Sequence, residues 1–131
     1  MINLTVVTPE RKLVDQEVDE VVLPGTEGYF GVMEGHAPFL TTLRVGRIEY
    51  RRGGETSYLS VAWGFAEVLP KSVRVLADIA ERAEDIDVGR AKEAHGRAEG
   101  RMREGGDIDW DRARAALEKA LVRLQVAEMN R

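Results

Sequence analysis

Four basic side chains in the C-terminal third of the chain have a spacing that suits an anion-binding site. Arg90 and Arg97 are seven positions apart, and Lys119 and Arg123 are four apart, so each pair shares one face if its segment is helical. Four cations in one place repel one another unless an anion lies among them, and guanidinium groups match phosphate oxygens well. The alternative is a solvated surface with local pairs such as Arg90 with Glu93. The spacing alone leaves both interpretations open.

A run of acidic residues imitates a calcium-binding loop. Asp107, Asp109 and Asp111 alternate, and Glu118 follows at the twelfth place. The sixth place of such a loop needs a glycine for its sharp turn, but here it holds Arg112. Because a helical pattern follows, we interpret Asp109 as a helix cap and predict no metal site.

The sequence indicates neither a phosphate-binding glycine loop nor a catalytic histidine. The glycines at positions 25, 28, 31 and 35 do not have the G-x-G-x-x-G spacing, and no G-K-[ST] motif occurs. We interpret them as turns at the rim of a sheet. His36 and His95 are not accompanied by a Ser–His–Asp pattern. We therefore predict no catalytic residue, and a free-standing enzyme is the least supported alternative.

The first 80 or so residues have the pattern of a small all-β domain. Predicted strands are short, rich in β-branched residues and bounded by Gly or Pro, and they include Leu4–Val7, Val18–Leu23, Ile48–Tyr50 and Val73–Asp78. Gly53-Gly54 is a strong signal for a hairpin turn, since glycine accepts the positive φ such turns require. Frequent turn signals favour an antiparallel sandwich or flattened barrel over a parallel sheet. We assign this domain to residues 1–83.

Residues 84–131 have the pattern of an antiparallel α-helical hairpin. Asp87 caps a predicted helix over 88–104 that ends at Gly105-Gly106, and Asp109 caps a second helix from Trp110 to about Glu128. The short connection makes the two helices antiparallel. Apolar residues recur at helical spacing, with Ala91, Ala94, Ala98 and Met102 on the first helix and Trp110, Ala113, Leu117, Leu121 and Leu124 on the second.

This hairpin is expected to be the least stable part of the molecule. Burying an alanine methyl contributes about 0.8 kcal/mol, against roughly 1.5–3 kcal/mol for a leucine side chain. The first helix offers mainly alanines, and Gly89 and Gly100 lie in its interior, each costing about 1 kcal/mol relative to alanine. We therefore predict a hairpin that is able to leave its resting place.

Composition and charge exclude several classes of protein. The chain has no cysteine, so it forms no disulfide, and its net charge of −4 argues against a nucleic-acid binder. Its longest uncharged stretch, 56–66, is far shorter than the roughly 20 residues of a membrane span. From Arg112 onward there are five basic and two acidic residues. We expect a basic last helix on a mildly acidic body, with any membrane association occurring through partners.

Several motifs resemble a known family along the whole chain. The segment Leu23–Pro38, LPGTEGYFGVMEGHAP, closely resembles the L-P-x-x-x-G-x-x-G-V-x-x-G-H-x-P segment of ATP synthase epsilon subunits. Val6–Arg11 resembles the first strand and turn of that family, and Trp63–Val68 its Gly-Phe-x-Glu-Val strand. Further matches are 75–78, 86–91 and 127–129. The chain is identified by this resemblance as a member of the family.

The resemblance implies a non-catalytic rotor subunit of the proton-translocating F-type ATP synthase. It implies a sandwich that binds the gamma subunit and rests on the ring of c subunits. It further implies a hairpin that either folds against the sandwich or extends into the catalytic alpha and beta subunits, where it restrains ATP hydrolysis. A peripheral location on the cytoplasmic face of the bacterial membrane is implied as well. The residues facing the c ring would be Glu34, Gly35, His36, Ala37 and Pro38, and the basic residues that contact the catalytic subunits would be Arg112, Arg114 and Arg123.

The resemblance also implies that ATP is a regulatory ligand, although no cofactor is required. Family members that bind ATP carry an Ile-Asp-x-x-Arg-Ala motif with a preceding Glu and later basic residues. The matching positions here are Glu81, Ile86, Asp87, Arg90, Ala91, Arg97, Lys119 and Arg123. Lys119 stands where the clearest binders have arginine, which removes a bidentate donor, and the inter-helix segment is one residue shorter. The alternative is a purely structural coupling adaptor that does not sense ATP.

Overall fold

The computed structural model describes residues 1–130 as eight strands followed by two helices. Arg131, the last residue of the predicted hairpin domain 84–131, lies outside the described residues. The elements are β1 (Ile2–Val7), β2 (Lys12–Val18), β3 (Glu20–Gly25), β4 (Gly28–Val32), β5 (Phe39–Leu43), β6 (Gly46–Arg52), β7 (Glu55–Leu69), β8 (Ser72–Arg82), a 3-10 turn (Ala83–Asp85), α1 (Val88–Glu104) and α2 (Trp110–Met129). The predicted fold class, an N-terminal β-sandwich with a C-terminal helical hairpin, is confirmed.

The eight strands form one strongly folded sheet in the order β2-β1-β8-β7-β5-β3-β4, with β6 bridging β3 and β7. All pairings are antiparallel except β1 with β8. The 15-residue strand β7 pairs first with β6, up to Val61, and then with β5, from Gly64 onward. Strands that change partners in this way carry the chain from one layer to the other, which closes the sheet around a single core.

Alternation along the strands produces that core. Ile2, Leu4 and Val6 of β1 are fully buried while the residues between them are half-exposed, as expected from a side-chain period of two. Val73 and Val75 of β8 repeat the pattern. The inward-facing aliphatic side chains of β1, β3, β6, β7 and β8 meet in one cluster, so the sandwich has a complete core of its own.

One predicted strand is two strands in the structure. Val18 ends β2 and Glu20 begins β3, with Asp19 at the bend between them. The Asp19 amide donates to the Arg51 carbonyl at 2.8 Å, and its carboxylate accepts the Gly53 amide at 2.7 Å. The prediction of one strand over 18–23 was wrong because β-branched residues stand on both sides of Asp19 and Glu20 and hide the break. The pairing partner changes at this point from β1 to β4 and β6.

Both helices begin at the predicted caps. The Asp87 carboxylate accepts the Arg90 amide at 3.0 Å, and the Asp109 carboxylate accepts the Arg112 amide at 3.1 Å. Gly105 ends α1 with a φ of 68°, in the left-handed region that glycine adopts freely. No helix within residues 1–130 is long and apolar enough to cross a membrane.

The hairpin packs through alanines, and this corrects the predicted face of α2. Ala91 and Ala98 of α1 are buried as predicted. On α2, however, Trp110 and Leu121 are each 43% exposed, and the buried residues are Ala113, Ala120 and Val126. The predicted stripe followed the three- and four-residue spacing of the apolar residues, and of its members Ala113 is buried. Small side chains on α2 instead face α1 and the sandwich, where they permit close approach of the backbones.

Candidate functional site

The hairpin is docked on the sandwich through a short linker and a small apolar cluster. The Asp85 carboxylate accepts hydrogen bonds from Arg82 Nε at 2.9 Å and from Arg11 Nη2 at 3.4 Å. The hydrogen bond between Asp85 and Arg82 raises the pKa of the Arg82 guanidinium. Next to this clamp, Ala83 and Ile86 of the linker bury themselves against Val126 of α2. The partly buried residues Tyr58, Val122 and Ala127 complete the cluster.

A cleft of about 260 Å³ lies between the sandwich and the hairpin. Strand β8, helix α1 and helix α2 all contribute to its walls. The lining residues are Ile79, Glu81, Ala94, Ala116, Lys119, Ala120 and Arg123. A smaller cavity of about 40 Å³ adjoins it on the side of β7 and shares Glu81, Lys119 and Arg123. The two basic side chains of α2 therefore line the same cleft as a carboxylate of the sandwich.

Glu81 and Arg123 form a two-pronged ion pair across this cleft. Arg123 Nε lies 2.6 Å from Glu81 Oε1, and Nη2 lies 3.3 Å from Oε2. The two side chains are only 25% and 29% exposed. Bidentate pairing of this kind fixes the orientation of the guanidinium. Arg123 is therefore held at the cleft by the Glu81 carboxylate, and an anionic ligand would have to compete with that carboxylate for the guanidinium.

Lys119 contacts an aromatic ring that the sequence analysis did not connect with the site. Its Nζ lies 5.4 Å from the centroid of the Trp63 ring, within the range of a cation–π contact. Trp63 belongs to β7 and precedes Lys119 by 56 positions. No signal in the sequence joins two residues so far apart, because the contact depends on where α2 docks.

Arg90 and Arg97 are exposed and do not line the cleft. Arg90 Nε lies 3.6 Å from Asp87 Oδ2, so its local partner is Asp87 rather than Glu93. Within residues 1–130, Arg97 makes no ion pair or hydrogen bond. Positions 90, 94 and 97 nevertheless share one helix face, and Ala94 lines the cleft, so the two arginines flank its mouth.

Three of the residues singled out for ATP have structural contacts of their own. Ile86 belongs to the apolar cluster, Asp87 caps α1, and Ala91 is fully buried. The structure therefore brings together Glu81, Lys119 and Arg123, and sets Arg90 and Arg97 at the edge. Whether the eight residues bind ATP stays a prediction.

The loop predicted to face the c ring projects from the end of β4. Gly35, with a φ of 88°, donates its amide to the Pro70 carbonyl at 2.8 Å. Glu34 Oε1 lies 3.5 Å from the N-terminal ammonium, and His36 Nδ1 donates to the Ala37 carbonyl at 2.7 Å. Ala37 and Pro38 are exposed. The loop is thus braced against β1 and the β7–β8 turn while most of its surface is open.

An exposed apolar strip crosses β5, β7 and β8 on the sandwich. Leu40 is 70%, Phe65 53% and Leu76 57% exposed, and Phe65 pairs directly with Leu76 across the two strands. Clusters of exposed apolar side chains mark interaction surfaces. The sequence analysis missed this strip, although Leu76 gave a signal: it is apolar at an outward position between buried Val75 and Ala77.

The three arginines predicted to contact catalytic subunits lie in different surroundings. Arg112 and Arg114 are exposed near the start of α2, where Arg114 Nη1 approaches Asp111 at 3.9 Å. Arg123 is occupied in the cleft by Glu81. Asp109 caps α2 as expected, and the described residues contain no cluster of His, Asp and Glu that could hold a metal ion.

Comparison with known proteins gives consistent matches along the chain. Residues 1–83 match the family model for the beta-sandwich domain of the ATP synthase delta/epsilon chain, and residues 84–128 match its long alpha-helix domain. The ATP synthase epsilon chain of Syntrophobacter fumaroxidans is 50% identical over 128 residues, which cover 97% of this chain and 96% of the relative. ATP synthase epsilon chain 2 of Syntrophotalea carbinolica is 48% identical, covering 96% and 93%.

Two solved structures share the fold. A chain in the cryo-EM structure of the Euglena gracilis mitochondrial ATP synthase, OSCP/F1/c-ring, superposes with a TM-score of 0.81 at 24% identity and covers 98% of this chain and 80% of that one. A chain of the Tetrahymena thermophila mitochondrial ATP synthase central stalk and c ring gives a TM-score of 0.63 at 10% identity, covering 96% of each. At these identities the likeness is one of fold.

Proposed function

This chain belongs to the ATP synthase delta/epsilon chain family as a non-catalytic epsilon subunit of the central stalk, and we propose that it couples proton translocation to ATP synthesis and restrains ATP hydrolysis through its C-terminal helices. The observation that carries the proposal is a stable sandwich with an open apolar strip, joined to a hairpin docked through a small interface. Such a subunit would lie at the cytoplasmic face of the bacterial membrane, held there through the complex.

The sandwich, residues 1–83, is the part that joins the rotor in this proposal. The strip formed by Leu40, Phe65 and Leu76 is an exposed apolar surface whose burial against the gamma subunit would be favourable. The loop of Glu34 to Pro38 would meet the ring of c subunits, and its bracing against β1 and the β7–β8 turn supports a load-transmitting contact.

Regulation by ATP is the finer part of the proposal. Arg123 and Lys119 in the cleft, with Arg90 and Arg97 at its mouth, offer four cations to a polyphosphate. A ligand bound there would stabilise the docked hairpin by mass action, about 2.7 kcal/mol at a hundredfold excess over its dissociation constant. Abundant ATP would thus keep the hairpin on the sandwich and leave the enzyme free to turn over.

Loss of the ligand would release the hairpin for its inhibitory role. The docking cluster has three buried members, Ala83, Ile86 and Val126, so little apolar surface opposes undocking. Once free, Arg112, Arg114 and Arg123 would reach acidic surfaces of the catalytic alpha and beta subunits. Arg123 would then exchange its docked partner Glu81 for a partner in the catalytic head.

Calorimetric titration of the protein with ATP tests the regulatory site. We expect saturable one-to-one binding, weaker binding of ADP, and loss of the ATP signal in Arg90→Ala and Arg123→Ala. The matched control is Lys92→Ala, since Lys92 is exposed on α1 and lies about half a turn away from Arg90. Absence of heat at millimolar ATP would eliminate ATP sensing and leave the stalk assignment intact.

A purely structural coupling adaptor is the second candidate. It is favoured by the fact that Arg123, Lys119 and Arg90 already have partners in Glu81, Trp63 and Asp87. Hydrolysis by the assembled complex separates the two candidates. The triple variant Arg112→Ala, Arg114→Ala, Arg123→Ala should raise ATP hydrolysis if the hairpin inhibits, and an unchanged rate would favour the adaptor.

A further inference from the structure

Strand β7 turns a corner at Trp63 and Gly64. Val61 is the last residue paired with β6, and Gly64 is the first paired with β5. Gly64 has a φ of 138°, and a Cβ there would collide with the Leu76 carbonyl. Trp63 has a φ of 62°, which makes it the one non-glycine residue with positive φ among residues 1–130.

A tryptophan in the left-handed region is unfavourable, whereas glycine adopts it freely. The strain of such a residue corresponds to roughly fivefold or more in the folding equilibrium constant. The corner requires only this backbone conformation, and a glycine at position 63 would adopt it without strain. The indole must therefore contribute something that the sandwich alone does not need.

The contact made by the indole lies on the hairpin. Lys119 Nζ of α2 lies 5.4 Å from the ring centroid, and Trp63 as a residue is 38% exposed. Lys119 also lines the cleft next to Arg123. The left-handed backbone at position 63 thus turns a sandwich side chain towards the second helix at the edge of the cleft.

We propose that Trp63 is a positioning residue that docks α2 on the sandwich by seating the Lys119 ammonium on its ring, and that its backbone strain is retained for this contact. The inference concerns docking and holds without any nucleotide. One consequence rests on the proposed function: Trp63 would hold Lys119 at the cleft before ATP arrives, and the ligand would draw the ammonium from the ring.

Hydrogen exchange of the full chain without nucleotide tests the inference through effects of opposite sign. In Trp63→Gly the core amides of β1 and β8 should exchange at least about fivefold more slowly, because the strain is gone. The amides of α2 should exchange about two- to fivefold faster, because the cation–π contact is gone. A residue with a merely structural role at the corner would not move the two regions in opposite directions.

Variants of Lys119 provide the matched arm. Lys119→Gln should accelerate exchange in α2 as Trp63→Gly does, and the double variant should add nothing further. Lys119→Arg and Trp63→Phe should retain most of the protection, since each keeps a cation or a ring. Lys92→Gln, an exposed lysine on the other helix, should leave α2 unchanged.

Two results would overturn the inference. If α2 exchanges at the wild-type rate in both Trp63→Gly and Lys119→Gln, Trp63 has no docking role. If the sandwich amides do not exchange more slowly in Trp63→Gly, the backbone at position 63 is not strained. A calorimetric failure to bind ATP would affect neither result. Fluorescence of Trp63 in a Trp110→Phe background, with and without ATP, then tests the consequence that rests on the proposed function.

Discussion

At the scale of single residues, the site depends on side chains that already have partners. Arg123 is held by Glu81, Lys119 by Trp63 and Arg90 by Asp87. Ion pairs that water still reaches contribute little net free energy, because water solvates the separated charges well. These contacts are therefore exchangeable, as the proposed release of the hairpin would require.

Glu81→Gln should weaken docking of the hairpin while the sandwich remains folded. The amide loses the charge opposite Arg123, and we expect a destabilisation of about 0.5–1 kcal/mol that shrinks in high salt. Urea unfolding followed by helix circular dichroism measures it. Glu99→Gln is the control, because Glu99 pairs with Arg103 on the open surface of α1. An equal effect of the two substitutions would contradict a special role for the cleft pair.

Asp15→Asn should show a pH dependence of known sign. The hydrogen bond and charge of Lys12 hold the pKa of Asp15 below its ordinary value of 3.8. A carboxyl group whose pKa is lowered by folding contributes stability above its unfolded pKa and loses it as pH falls through the folded value. The substitution should therefore destabilise the chain slightly at neutral pH and have no effect in strong acid.

Urea unfolding near pH 7 and in strong acid, below the folded pKa of the carboxyl, checks the Asp15 prediction. Glu17→Gln, on an exposed residue of the same strand, should have no comparable effect. A difference between wild type and Asp15→Asn that is equal at both pH values would contradict it.

Among the elements, α2 docks through a face that differs from the apolar stripe predicted from its helical spacing. Val126 is completely buried, whereas Leu121 is 43% exposed. The hairpin seam is made of alanines, which bring the helices close but bury little apolar area per residue. Docking therefore depends on a few contacts of α2 with the sandwich and linker.

Val126→Ala should reduce the stability of the docked hairpin by about 1–3 kcal/mol, since it leaves a cavity in the cluster with Ala83 and Ile86. Leu121→Ala, a larger truncation on the same helix, should change stability by less than about 0.5 kcal/mol. Hydrogen exchange of α2 measures both. The reverse ranking would restore the stripe predicted from the sequence and contradict the docked arrangement.

At the scale of the whole molecule, the two parts of the chain divide the work. The sandwich has a continuous aliphatic core, so it tolerates an exposed apolar strip without losing its fold. The hairpin has small clusters and exchangeable ion pairs, so its docking can respond to a ligand or a partner. The proposed function needs this division, with a rigid part for assembly and a weakly docked part for regulation.

Leu76→Glu tests the strip as the surface for the gamma subunit. Because Leu76 is 57% exposed, the isolated chain should unfold within about 0.5 kcal/mol of the wild type. Association with the gamma subunit should weaken at least tenfold, since a charge would be buried without a partner. Co-purification and titration measure it, with Lys92→Glu as the control. Undiminished association would exclude the strip from that interface.

Local features of this protein follow from short stretches of its sequence. Period-two and helical patterns separate the sandwich from the hairpin, and Asp87 and Asp109 identify both helix starts, because capping depends on neighbours only a few positions away. Motif spacing was sufficient to indicate the family. These signals lie within short windows, where residue types act directly on the backbone.

Contacts between residues far apart in the chain depend instead on how the elements pack together. The break at Asp19, the exposure of Leu121, the Glu81–Arg123 pair and the Trp63–Lys119 contact all depend on where strands exchange partners and where α2 docks. The backbone conformation of Trp63 depends on the corner of β7 in the same way. Non-local packing selects among arrangements that local patterns leave equal in energy, and for that reason no window of sequence contains them.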